Sequence, residues 1–295
     1  MPSEEHVQAP CIHNHHLKRG AVLSETVKDD ACMHAIYGEG NGCILDIAGE
    51  VAGVWISLRG ALQVRSNGLN RSVHVGDVLV TEIDNDIRAI GQADGRWLAV
   101  LGGRRAWERV LTDVSAAGVQ LFPDLHEADR GLRRTAIVLA RASSPLNVEG
   151  AVHALADKIV SLQTPLHRAM SRCPGRTLAR KRQVFLRLQR IRNYMGIFCN
   201  QDLDNETLAL MANFSPCYFL RTFRAVYLET PHSYLINQRL QRANRLLHSS
   251  NLAITEVAWA SGFENRCVFS RTFRQHFGVT AKETKHRAGT SAVAG

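Results

Sequence analysis

From Cys43 to Leu101 the apolar residues come in short runs: "CILDIA", "VWISL", "ALQVRS", "RSVHV", "VLVTE", "IRAIG" and "RWLAVLG". Gly60, Asn67–Gly68, Gly76–Asp77 and Asn85–Asp86 punctuate them. Short strands broken by tight turns predict an antiparallel sandwich or barrel. After Trp107 the period changes. Ile137, Leu139 and Ala140, then Val152, Leu155, Ile159 and Leu162, fall at helical spacing. They predict helices that pack on the barrel, form a dimer seam, or do both. Residues 167–183, "HRAMSRCPGRTLARKRQ", show little periodicity, a Pro174–Gly175 pair and six basic residues. They predict a linker that can touch phosphates. From Val184 to about Arg287 the pattern is helical almost throughout.

Two stretches in that helical region echo each other, "NETLALMANFSPCYFLRTFRAVY" and "ITEVAWASGFENRCVFSRTFRQHFG". Each carries the word "RTFR", at Arg221–Arg224 and at Arg271–Arg274. In the first copy Asp204 can cap a helix whose inner face shows Leu208, Ala209 and Ala212. Asn213 tolerates a left-handed turn, Phe214 anchors it, and Ser215–Pro216 opens a second helix. In the second copy Val257, Ala258, Ser261, Gly262 and Phe263 repeat the plan. Helix, short turn, helix is the helix-turn-helix pattern, whose second helix enters the DNA major groove. Asn213 and Gly262 stand 49 positions apart but the two words 50, so the second turn carries one more residue.

Helical phase separates the roles inside each word. Phe219 and Phe223 share a face, as do Phe269 and Phe273, and these are expected to meet the core. Cys217, Leu220, Arg221 and Arg224 fall on another face, and so do Cys267, Ser270, Arg271 and Arg274, with Asn265 and Arg266 nearby. An Arg fork reads guanine O6/N7 or grips phosphate. Arg221 and Arg271 are expected to read bases, and Arg224 and Arg274 to hold phosphates. Some of these arginines could instead simply solvate an outer face. Between the copies, Leu235, Leu240, Ala243, Leu246 and Leu247 stripe a long joining helix. With both units on one face of the duplex, the second helices would enter major grooves about 34 Å apart.

The charge distribution agrees with a polyanionic partner. The 295-residue chain carries a net +9. Residues 1–166 hold 16 Lys+Arg against 20 Asp+Glu, and residues 167–295 hold 20 against 7. A basic half beside a slightly acidic one suits nucleic acid or a membrane surface, and charge alone does not choose. No run of about 18 apolar residues predicts a membrane-spanning helix, and the polar start lacks a signal-peptide core, so a cytoplasmic protein is expected. Seven cysteines without a CxxC pair predict free thiols.

Residues 188–287 resemble the DNA-binding domain of AraC/XylS-type transcriptional regulators, and "SGFENRCVFSRTFRQHFGV" resembles that family's most characteristic segment. The resemblance implies seven helices with two helix-turn-helix units, double-stranded DNA and RNA polymerase as partners, and more often activation than repression. For the N-terminal half it implies, more weakly, a cupin-like sensor barrel with a small-molecule effector. "SVHVGDVLV" looks like a cupin strand-turn-strand fragment, but the metal-binding cupin signature is missing and His74 stands alone. The expected fold is therefore α+β in two domains. An antiparallel cupin-like β-barrel with following helices spans 1–166, a basic linker 167–184, an all-α double helix-turn-helix domain 185–288, and a flexible tail 289–295. A homodimer through residues 124–166 goes with it. Three departures from the family matter. Ala253 replaces a capping Ser or Thr, a loss of about 1 kcal/mol unless another group serves the amides. "TAKET" puts Ala281 and Thr284 where Pro and Tyr are usual, which predicts a shorter or looser last helix. Leu220 stands at an often polar position and suggests an apolar contact such as a thymine methyl.

Two other readings compete. One is an enzyme, either a metal-dependent cupin on a DNA anchor or a repair methyltransferase. The first needs a His/Glu set in residues 43–101 and the second a cysteine cluster, and neither pattern is found, so no catalytic residue or cofactor is assigned. The other is a regulator switched by a protein partner. Trp55, Trp97, Arg59, Arg65 and Arg88 are candidate effector-lining residues, with core packing the plainer reading for the tryptophans. "CIHNHH", Cys11 to His16, could supply metal ligands. A polar terminus explains it as simply, and no metal is assigned.

Overall fold

The computed structural model describes residues 11–92, 94–115 and 119–293, with side chains as far as Arg287. The chain divides into two compact units, Met1–His167 and Arg168–Gly295.

Unit one is built on a nine-stranded sheet. Its strands are β1 (Ile12–Leu17), β2 (Val22–Thr26), β3 (Met33–Glu39), β4 (Ile44–Arg59), β5 (Ala61–Ser66), β6 (Leu69–His74), β7 (Asp77–Gly91), β8 (Arg96–Gly102) and β9 (Asp124–Glu127). Hydrogen bonding runs β1-β3-β8-β4-β7-β5-β6, with β2 on β4 and β9 on β7. This corrects the expected antiparallel barrel. β1 runs parallel to β3 and β2 parallel to β4, and the path of paired strands does not close among the described residues. Period-2 alternation marks a strand but not its partner, and parallel partners must be distant in sequence.

Two further expectations change. "CILDIA" and "VWISL" form the single strand β4, whose register against β7 shifts between Ala48 and Gly53. Asn85–Asp86 is not a turn but part of β7, where Asp86 opposes Ala48. Extra residues at a bulge bend a strand without ending it.

The middle of the sheet is buried on both faces. Val54, Ile56, Val78, Val80, Leu98 and Val100 meet α1 (Arg104–Val114), α2 (Arg130–Arg141) and α3 (Pro145–Leu162). Their neighbours Trp55, Leu79, Trp97, Ala99 and Leu101 point the other way, into an inner core with Ile36, Leu45 and Ile47. Burial on both sides is why "RWLAVLG" reads as a continuous apolar run. Trp55 and Trp97 are fully buried, and a Cβ at Gly38 or Gly91 would strike the Trp97 indole, so they fill the inner core. Arg59 is exposed, Arg65 pairs with Asp86 at 2.8 Å, and Arg88 pairs with Asp46 at 3.4 Å, so none of the three lines an interior. The helical stripe Leu139, Ala140, Val152, Leu155 and Ile159 is spent on this unit's own core, which leaves only Ile137 of that set exposed as a seam residue.

The expected linker is mostly helical. α4 (Thr164–Ser171) and α5 (Leu178–Ile197) cover its two ends and leave only residues 172–177 between them. Thr177 caps α5, its hydroxyl accepting from Arg180 N–H at 3.2 Å. Arg, Lys, Leu and Gln are good helix formers, so an exposed first turn needs no apolar period. α5 is followed by α6 (Asn205–Met211), α7 (Pro216–Tyr227), α8 (Pro231–Ser249), α9 (Ile254–Ala260), α10 (Arg266–Phe277) and α11 (Ala281–Val293). α11 is not short, and it runs through most of the expected tail; residues 294–295 lie outside the described residues. Thr280 and Glu283 start it with a reciprocal capping box, Thr280 N–H to Glu283 Oε2 at 2.8 Å and Glu283 N–H to Thr280 Oγ1 at 3.2 Å. Ala281 and Thr284 are both buried, so the smaller pair packs where Pro and Tyr were missed.

Candidate nucleic-acid interface

Each copy of the repeat folds as two short helices around a tight turn. In the first, Asp204 caps α6 by accepting from Thr207 N–H at 2.8 Å. Asn213 takes the left-handed conformation at φ +56°, and Ser215 caps α7 with Pro216 at its first position. In the second, Ala253 brings no side-chain acceptor to α9, but Glu256 Oε2 accepts from Ala253 N–H at 2.6 Å. That is the Glu half of a capping box, and it offsets part of the lost cap. Gly262 turns the chain at φ +89°. The turns hold residues 212–215 and 261–265, so the second is longer by one.

The two second helices match in length, and the words match in position. α7 and α10 each have 12 residues, and Arg221 and Arg271 are each the sixth. The extra residue therefore lies in the turn alone. Phe219 and Phe223 are fully buried with their rings 5.7 Å apart, and Phe269 and Phe273 repeat this at 5.5 Å. Leu240, Ala243 and Leu247 of α8 close the core over the second copy, while Tyr234, near the start of α8, meets Phe223 of the first.

All ten residues expected at the interface are exposed: Cys217, Leu220, Arg221, Arg224, Asn265, Arg266, Cys267, Ser270, Arg271 and Arg274. Among the described residues, none of their five arginines has a carboxylate within ion-pair reach. Arg221 lies over the Tyr218 ring at 5.9 Å. Asn265 differs from the rest. Its Oδ1 accepts from Cys267 N–H and Val268 N–H, so its side chain caps α10. Val268, half-exposed three residues before Arg271, belongs to the same surface and was not expected there. Its type reads as core, and only its helical phase gives it away.

Other cations in this unit hold the fold. Arg239 donates to Cys199 O at 2.7 Å, Arg242 to Ala260 O at 2.9 Å, and Arg172 to Val226 O at 2.7 Å. The last two grip carbonyls at the ends of α9 and α7, where unpaired acceptors and the helix dipole favour a cation.

Residues 208–287 match the family model described as a helix-turn-helix domain. The regulatory protein SoxS of Escherichia coli K12 is 31% identical over 88 residues, which cover 30% of this chain and 82% of SoxS. The chain belongs to the AraC/XylS family. The HTH-type transcriptional regulator GbdR of Pseudomonas aeruginosa is 30% identical over 99 residues. That match spans 34% of this chain but only 27% of GbdR. Among solved structures, the DNA-binding domain of AdpA in complex with a target DNA is 29% identical with a TM-score of 0.35. It covers 37% of this AraC/XylS-family chain and 97% of the AdpA domain.

Proposed function

We propose that unit two binds double-stranded DNA with α7 and α10 in successive stretches of major groove, and that the chain regulates transcription at the promoters it occupies. One observation carries this: two helices of equal length present arginines at equal positions, exposed and, among the described residues, without carboxylate partners. Bare guanidinium groups on a helix face suit base edges and phosphates. Arg221 and Arg271 read bases, Arg224 and Arg274 hold phosphates, and Leu220 and Val268 meet apolar base edges. The copies differ at Leu220 against Ser270 and Tyr218 against Val268, which suits the two halves of an asymmetric site. Unit one serves as the input domain, with a small molecule as effector, and RNA polymerase is the partner in activation. The exposed pair Ile137 and Val138 on α2 supports a homodimer contact within 124–166.

Genome-wide footprinting of the full chain, parent against Arg271→Ala, tests the core of this reading. The variant is expected to lose about 1–3 kcal/mol of specific binding and to relax one base position. Equal affinity and an identical footprint would remove Arg271 as a base reader.

A further inference from the structure

The strands before Cys43 carry chemistry that the DNA reading does not use. Two words alternate ligand and non-ligand residues: "CIHNH" from Cys11 to His15, and "CMH" from Cys32 to His34. Alternation in a strand puts every second side chain on one face. The parallel register of β1 and β3 sets His13 beside His34. Cys11, His13, His15, Cys32 and His34 therefore share a face. It is the same face from which Leu17 and Ile36 enter the inner core. Glu25 comes from β2 in step with Leu23, which also packs on that core. At one end of the inner face, then, three strands exchange apolar side chains for metal-ligating ones.

The geometry is that of co-ligands. His15 Nε2 lies 3.3 Å from His34 Nδ1, and Glu25 Oε2 lies 3.7 Å from the first and 3.6 Å from the second. Ligands at about 2.0–2.1 Å around a tetrahedral ion stand about 3.3 Å apart. The two carboxylate distances are too long for hydrogen bonds, and Glu25 Oε2 is buried without a hydrogen-bond partner. A buried, unserved carboxylate oxygen is costly unless something charged meets it. His34 is almost fully buried and His15 half-buried. Burial, opposed by Glu25, holds both imidazoles below their usual pKa and so favours the neutral, ligating form. Cys11 Sγ approaches His13 Nε2 at 3.2 Å, and Cys32 completes a softer set alongside.

We infer that His15, Glu25 and His34 bind one divalent transition-metal ion of the zinc class, with a fourth position left for water or a neighbouring thiolate. Two imidazoles and a carboxylate suit Zn²⁺ and its Co²⁺ substitute and disfavour Mg²⁺ or Ca²⁺. The ion would tie β2 to the β1–β3 pair, with which β2 shares no sheet pairing among the described residues. The site lies wholly in unit one and owes nothing to DNA binding.

Tag-free full chain, stripped with chelator, is titrated with Co²⁺ and then Zn²⁺. The parent should show one tight equivalent with the visible bands of tetrahedral Co²⁺, bleached by Zn²⁺. Glu25→Gln, close to isosteric, should weaken Co²⁺ binding at least about tenfold, and His15→Ala should do the same, each with an unchanged far-UV circular dichroism spectrum. His34 is left intact because it is core. Absence of binding by the parent, or parental affinity in both variants, overturns the assignment. So does a sulfur-to-cobalt band that vanishes in Cys32→Ser while Glu25→Gln binds normally, since the ion would then sit on the thiols.

Discussion

Gln163 ends α3 fully buried and makes two hydrogen bonds to one backbone residue. Its Oε1 accepts from Phe122 N–H at 2.8 Å, and its Nε2 donates to Phe122 O at 2.7 Å. Phe122 is itself fully buried, and its ring lies 4.9 Å from that of His167. The amide thus stands in for a strand partner and holds the segment before β9 against the end of α3. A Leu at 163 would match its bulk and strip both bonds from buried peptide groups. Gln163→Leu should lower unit-one stability by about 2–3 kcal/mol. Urea unfolding followed by fluorescence checks this, and a midpoint equal to the parent's would show that the clamp is unimportant. Nothing local in "SLQTPL" announces this role, because it depends on a partner 41 residues away.

At the scale of elements, legibility follows the range of the interactions. The paired helices of unit two were readable because caps, turns and core positions all lie within about 25 residues of each other and then occur a second time. Unit one was readable only in part. β1, "IHNHHL", and β2, "VLSET", are half polar, and the parallel strands that hold them are remote in sequence. Of the proposed ligands only His15 stands in a stretch the sequence marks, "CIHNHH"; Glu25 and His34 join it only through strand pairing and packing. The two turns offer an internal control. Asn213 adopts its left-handed conformation at φ +56° in the open, whereas Gly262 does so at φ +89° against other backbone. A Cβ at Gly262 would stand 2.8 Å from Asn200 Cα and 2.9 Å from Cys199 O. Gly262→Ala should therefore cost at least about 2 kcal/mol, combining backbone strain with a clash that no side chain can relieve. Asn213→Gly should be nearly neutral. Hydrogen exchange should show the Gly262 variant losing protection across α9 and α10, and equal protection in both variants would contradict the packing argument.

Across the whole molecule, positive charge is concentrated in the second half, but it performs two jobs. Arg172, Arg239, Arg242 and Lys285 donate to backbone carbonyls. Arg221, Arg224, Arg266, Arg271 and Arg274 are exposed and have no carboxylate partner among the described residues. The balance of 20 Lys+Arg against 7 Asp+Glu in residues 167–295 therefore overstates the charge available to DNA. The two sets separate by salt dependence. Each phosphate contact adds about 0.9 to the slope of log affinity against log salt, because it releases condensed counterions. Arg224→Ala and Arg274→Ala should each lower that slope by about 1 and weaken binding to all sequences alike. Arg242→Ala should leave the slope alone, because its guanidinium is occupied with Ala260 O, and should lower the thermal midpoint instead. Affinity measured at four or five salt concentrations, beside a melting curve for each variant, reads both quantities. A lowered slope in Arg242→Ala, or an unchanged one in both Arg224→Ala and Arg274→Ala, would mean that the division between fold-holding and DNA-facing arginines is drawn in the wrong place.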